Sequence, residues 1–395
     1  MAAVPTASRP ERRVPDAAEL VALGRAHGLD AVGVAPAEPF ATTRHHLERR
    51  RAAGYHGGMS FTYRRPERSC DPGMALRDAR ALVVAARGYR RAAPPAVHGD
   101  PCGSAADSAV SPAGRVARYA WADHYGPLRT ALTAVARRIT ADGWRARVVA
   151  DDNALVDREA AYRAGLGWYG KNANLLLPGE GSWFVLGSIV TDAPLEATRD
   201  RVDDGCGTCT RCLDGCPTGA IVAPGVVDAR RCLAWLLQVE GPFPREHRVA
   251  LGNRIYGCDD CQEVCPPNRR VHRTRPSTEA EPDAQPAVDL VDLLAAPDHE
   301  LLARYGRWYI PRREARYLRR NALVVLGNVG DGTDPRVVAA LRGALRSDDG
   351  LVRSHAVWAS RRVGRDDLLT GEGLDLDADP DPLVRAELTA PVEQR

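Results

Sequence analysis

Lysine is nearly absent from this 395-residue chain: of 54 basic residues, only Lys171 is not arginine. A compact ammonium and a planar guanidinium are not interchangeable at a tight site, so the position that keeps the lysine is a candidate binding residue. No apolar run approaches the roughly 18 residues that a membrane helix requires. Residues 1–13 carry Pro and Arg without the apolar core of a secretory signal. The expectation is a cytoplasmic, monomeric protein with no membrane partner. The net charge of +3 is too small to name a partner by itself.

Cysteine, by contrast, is plentiful and confined. Eight of the ten cysteines lie between Cys206 and Cys265. They run Cys206-x2-Cys209-x2-Cys212-x3-Cys216-Pro217, then a lone Cys232, then Cys258-x2-Cys261-x3-Cys265-Pro266. The first run has the spacing of bacterial ferredoxins, in which three close thiolates hold one cubane and the fourth reaches the neighbouring cluster. Crossed in this way, the spacing predicts Cys206, Cys209, Cys212 and Cys265 around one 4Fe-4S cluster, and Cys216, Cys232, Cys258 and Cys261 around a second. Structural zinc sites show two Cys pairs separated by a longer loop, and disulfides belong to oxidising compartments. Cys70 and Cys102 stand apart and are expected to be free thiols.

Around this module the periodicity changes. Residues 16–28 read as an amphipathic helix, 29–35 and 81–86 as strands, 127–141 as a helix, 147–150 as a strand, and 183–191 as the clearest buried strand. Residues 54–73 are a Gly-rich basic loop and 92–114 an Ala/Pro/Gly/Ser insertion. Gly165 to Asn172 is a glycine-dense turn where backbone can approach a large ligand. Residues 267–288 read as a linker. Beyond it, 318–330 and 352–364 align at a period of 34 with Asp334-Pro335 opening a helix between them, the pattern of a HEAT-type repeat, and a weaker copy begins at Leu383. Arg304, Arg307, Arg312, Arg313, Arg316, Arg319 and Arg320 crowd the start of this repeat, either as a solvated face or as a surface for a polyanion such as RNA. The fold expected is α+β multidomain: an α/β domain over 14–200, a ferredoxin-like two-cluster module over 201–268, and a C-terminal HEAT-like α-helical repeat over 289–395.

Several longer motifs resemble one family. Ala164-Gly-Leu-Gly-Trp-Tyr-Gly-Lys-Asn172, Gly181-Ser-Trp-Phe184, the run from Cys206 to Ile221, Asp228-Ala-Arg-Arg-Cys232, Tyr256-Gly-Cys-Asp-Asp-Cys-Gln262 and Arg320-Asn-Ala-Leu323 with Leu326-Gly-Asn328 are similar to the iron-sulfur and cobalamin-dependent epoxyqueuosine reductases. The resemblance covers most of residues 14–330. It implies a base-off cobalamin between the α/β domain and the cluster module, electrons from an external low-potential donor, and reduction of epoxyqueuosine to queuosine at the tRNA wobble position. Arg64 and Lys171 are the first candidates to hold the corrinoid, with Asp151, Asn172, Ser182 and Asp259 as further ones. Arg319 and Arg320 are the candidate tRNA contacts.

One stretch departs from the family. Its proposed acid is an aspartate between Arg-Tyr-Ala and Tyr-His; here Arg118-Tyr-Ala-Trp-Ala-Asp-His-Tyr-Gly126 puts His124 in that slot and Asp123 just before it. Either side chain can donate a proton, Asp123 only if burial against Trp121 keeps it protonated. Pro267 also stands where the family has tryptophan. Two other functions fit parts of the chain: a related corrinoid reductase of a small epoxide or halogenated substrate, and a non-catalytic electron carrier, which would leave residues 1–200 idle.

Overall fold

The computed structural model describes residues 12–92, 111–275, 281, 283–371 and 374–393. Cys102 lies outside the described residues.

Four antiparallel strands form the main sheet in the order Ala31–Pro36, Ala81–Gly88, Phe184–Thr191, Ala146–Val149. The two central strands read Ala-Leu-Val-Val-Ala-Ala and Phe-Val-Leu-Gly-Ser-Ile-Val-Thr, near-continuous apolar runs that need cover on both faces. Helices Ala17–Ala26 and Tyr125–Ala141 cover one face, through Leu20, Leu128, Leu132 and Val135. On the other, Leu82, Val84 and Val190 pack with Ala160, Ala161 and Ala164 of helix Asp157–Arg163 and its end. The latter core also holds Cys70, 2% exposed, whose thiol burial pushes up to about 12, so it is an inert apolar side chain.

The chain is then stitched across the molecule. Strand Ala113–Val116 pairs with Arg254–Tyr256 in parallel and with Ala287–Asp289 antiparallel, tying the middle of the chain both to the cysteine region and to the segment that leads into the C-terminal helices. This corrects the linker reading of residues 267–288. Pro266 opens a helix to Thr274 on which Asn268 and Val271 are buried, and Val288 enters the core. Arg-rich composition masked the helix start that a proline at its first position marks.

C-terminally, helix Gly350–Arg362 packs against each of helices Arg316–Val329, Pro335–Leu345 and Pro382–Thr389. The last three in chain order start behind an aspartate, Asp334, Asp349 or Asp381, whose carboxylate accepts a first-turn N–H. Gly327 allows close packing of two of these helices: a Cβ there would lie 2.5 Å from the Trp358 ring. These helices share one apolar core with Trp121, Leu236, Phe243 and Ile255 of the middle of the chain. Among the described residues no helix is long and apolar enough to cross a membrane.

Candidate functional site

A cavity of about 1440 Å³ opens between the sheet and the cysteine loops, larger than the sites that enclose drug-sized ligands. Its walls come from sequence-distant pieces: Phe184 and Leu186 of the sheet, Tyr169 and Asn172 of the glycine-dense turn with Ala173, Asn174 and Leu175 after it, and Cys216, Cys232, Cys258 and Cys261 from the cysteine loops. Cys206 and Cys209 line a separate surface cleft with Asp204, Arg211 and Pro266.

The neighbours of each thiol divide the eight. Burial first, then the Cys206 and Cys209 thiols, push Cys212 up; burial, with Cys206, Cys212 and Cys209 adding to it, pushes Cys265 up to about 11. On the cavity side, burial and then the Cys258, Cys232 and Cys216 thiols push Cys261 well up. Thiols that raise one another are stabilised as thiolates by bound positive charge, which is the donor chemistry iron requires. The Ala220 N–H points at the Cys216 sulfur from 3.2 Å, the kind of contact that tunes a cluster. Among the described residues no three His, Cys, Asp or Glu side chains close around a single metal-ion position.

A buried polar network closes the cavity wall between the two halves. Asn268, 0% exposed, donates to Ser182 Oγ (2.9 Å) and to the Gln262 carbonyl (2.8 Å), while the Ser182 N–H donates to Asn268 Oδ1 (2.7 Å). Ser182 Oγ donates to Gln262 Oε1, Gln262 Nε2 to Asp259 Oδ1, and the Arg118 N–H to Asp259 Oδ2 at 2.7 Å. Burial still pushes Asp259 up to about 6. Gly181 permits the seam: a Cβ there would meet Asn268 Oδ1 at 1.9 Å.

The six residues expected at a corrinoid divide. Asp151, Asn172, Ser182 and Asp259 line the cavity. Asn172 spends its amide on the Cys261 carbonyl, and Asp151 sits at φ 52° with its carboxyl raised by burial. Arg64 and Lys171 are not on the cavity wall. Arg64 is exposed on the loop after the wall residues Phe61 to Tyr63, and Lys171 donates its Nζ proton to the Gly207 carbonyl beside the first cysteine run.

The acid expectation also changes. Asp123 is exposed, not buried against Trp121, and its Oδ1 accepts the Gly126 N–H at 2.9 Å where helix Tyr125–Ala141 begins. His124 is 2% exposed, with its ring 5.5 Å from Tyr89. Neither ring nitrogen makes a hydrogen bond among the described residues. Tyr89 lines the cavity; Asp123 and His124 do not.

Of the two expected tRNA contacts, Arg320 is corrected. Arg320 is 0% exposed and donates to the carbonyls of Val239, Gly241, Leu236 and Leu237, which makes it a structural pin. Arg319 is held by Asp298 at 2.6 Å and by the Ala296 carbonyl. Sequence reasoning missed Asn268, Tyr89 and Asp157. Asp157, at the start of its helix, lines the cavity with an orphaned buried Oδ1, and burial and then Asp151 push its carboxyl well up. Its only signal was an acidic residue at a helix start, too common to single out.

Residues 205–268 match the family described as 4Fe-4S double cluster binding domain. The epoxyqueuosine reductase of Pseudomonas aeruginosa is 35% identical over 86% of this chain and 92% of its own. A crystal structure of epoxyqueuosine reductase with an epoxyqueuosine-modified tRNA-Tyr stem loop superposes with a TM-score of 0.81 at 28% identity, over 94% of this chain and 96% of that one. The Bacillus subtilis enzyme with its catalytic aspartate loop swung out of the active site gives the same TM-score, identity and coverage.

Proposed function

The chain belongs to the epoxyqueuosine reductase family, and on that premise we propose that it reduces the epoxide of epoxyqueuosine in tRNA to the alkene of queuosine. The observation that carries the reading is the cavity itself, walled on one side by the sheet and on the other by Cys216, Cys232, Cys258 and Cys261. A redox centre bound there lies against one group of thiols, and the other group opens on the surface cleft, where an external donor delivers electrons.

The donor set fits two 4Fe-4S clusters. Cys206, Cys209, Cys212 and Cys265 would hold one; Cys216, Cys232, Cys258 and Cys261 the other. The cavity's size fits a corrinoid, with Asp151, Asn172, Ser182 and Asp259 as its polar wall. When bound, the clusters supply single electrons in relay and a base-off cobalamin supplies a low-potential centre at the substrate. Converting an epoxide to an alkene consumes two electrons and two protons and releases one water. The chain's task is to deliver those protons and keep other water out. His124 would give one when its loop folds over the cavity; the Bacillus subtilis structure has its catalytic aspartate loop swung out of the active site. Asp157, at the wall with its carboxyl pushed well up by burial, would give the second. The units in this reading are 14–200, 201–268 and a HEAT-like repeat over 289–395, whose stacked helices brace the cluster module through Arg320. Anaerobic incubation with epoxyqueuosine-containing tRNA, cobalamin and a low-potential reductant, followed by nucleoside mass spectrometry, tests it. Queuosine should accumulate; an unconverted nucleoside with fully loaded protein rejects the assignment.

A further inference from the structure

We propose that helix Ala41–Ala52 and the loop through Arg65 form the ridge that grips the anticodon-arm phosphates beside the cavity mouth, with Phe61 as a stacking platform for a neighbouring base. The inference rests on the tRNA reading above and goes beyond it in locating the contact. Four of the helix's twelve residues are arginines, Arg44, Arg49, Arg50 and Arg51, with His45 and His46 beside them, and only Leu47 is buried. His46, Arg49, Arg50 and Phe61 line the cavity. A nucleotide whose base enters that cavity leaves its flanking phosphates at the mouth, so cations on the rim are the first that they meet.

The ridge carries three exposed arginines with no partner among the described residues, Arg49, Arg64 and Arg65, where the basic start of the helical layer keeps Arg307 exposed and commits most of the others. In that layer Arg312 pairs with Glu240, Arg316 with Asp349 and Arg319 with Asp298, while Arg313 is spent on backbone carbonyls and Arg320 is buried. On the ridge, Arg44 pairs with Glu48 and Arg50 and Arg51 donate to the Gly225 and Tyr63 carbonyls, whereas Arg49, Arg64 and Arg65 are exposed and their side chains have no hydrogen-bond or ion-pair partner among the described residues. An unpaired guanidinium gains the full phosphate interaction, whereas a paired one must first give up its carboxylate. Phe61 is 39% exposed on the cavity wall, close in sequence to Arg64 and Arg65. Single-stranded RNA loops are recognised by stacking bases on such rings while cations hold the backbone.

The test uses full-length, cluster-loaded protein and a synthetic anticodon stem-loop RNA without the epoxide, titrated across a salt series. Replacing Arg49, Arg64 and Arg65 together by alanine should lower the slope of log affinity against log salt by roughly two, at about 0.7 per lost single-strand phosphate contact. Phe61→Ala should weaken binding by roughly 5- to 150-fold, the scale of one stacked base. Arg307→Ala, at an exposed position of the helical layer, should change neither. If the triple variant does not load its clusters, Arg49→Gln and Arg64→Gln singly decide, each by about 0.7 of slope. A wild-type slope in these variants, or a loss confined to Arg307→Ala, overturns the ridge. Failure of the wild-type protein to bind the stem-loop overturns the tRNA reading instead.

Discussion

Lys171 donates its ammonium proton to the carbonyl oxygen of Gly207 at 2.6 Å, in the turn between Cys206 and Cys209. The only lysine of the chain therefore fixes a loop of the first thiol group and stands off the cavity wall. Lys171→Met should leave cobalamin affinity, followed by visible spectroscopy, within about twofold of wild type. Removing a cation from beside the first cluster should make that cluster harder to reduce, seen as a lower potential in an EPR-monitored titration. Weakened cobalamin binding at an unchanged potential would return Lys171 to the corrinoid.

Cys232 lies far in sequence from the other thiols and joins them through the fold: burial first, and then Cys216 among its neighbours, push its thiol up. Cys232→Ala should cost the second cluster and spare the first, with iron and sulfide content falling by about half. Eight irons and two unaltered EPR signals in that variant would reject the ligand sets.

Arg320 satisfies carbonyls at the ends of two turns, and each orphaned buried acceptor costs about 1–3 kcal/mol. Arg320→Ala should lower unfolding stability by about 3 kcal/mol or more in a urea titration. The folded fraction should bind the stem-loop with an unchanged salt slope. A stable variant with weakened RNA binding would make Arg320 a phosphate contact after all.

His124 gives a pH test. Burial lowers its pKa below the ordinary 6.5; Arg87 and Arg91 lower it too, while Glu281, 3.8 Å from Nδ1, and the Arg118 backbone oppose them. The protonated ring is the donor, so single-turnover rate should fall as pH rises through a value under about 6.5, and His124→Gln should lose roughly 100-fold or more. The stability contribution has the opposite sense: the unfolded chain binds the proton more readily, so stability is lost as pH falls below about 6.5. Asp123→Asn should stay within a few-fold of wild type, since that carboxyl is exposed. A large loss in Asp123→Asn with an unchanged His124→Gln profile would reverse the roles.

Local signals and long-range packing carried different parts of this protein. The cysteine spacing, the apolar run of Phe184–Thr191 and the Asp-capped starts of the C-terminal helices are legible because each depends on residues within a few positions of one another. What composition could not reveal is where a long side chain finds its partner. Arg320 and Arg49 are the same residue type in equally basic stretches, yet one is sealed under four carbonyls and the other stands free on the cavity rim. Lys171 and Asn172 are adjacent, yet only Asn172 faces the cavity. Asp123 and His124 exchange the expected burial because the start of helix Tyr125–Ala141 takes the carboxylate as a cap and turns the imidazole inward. Those outcomes are set by which distant segment closes over each side chain, and only the tertiary structure determines that.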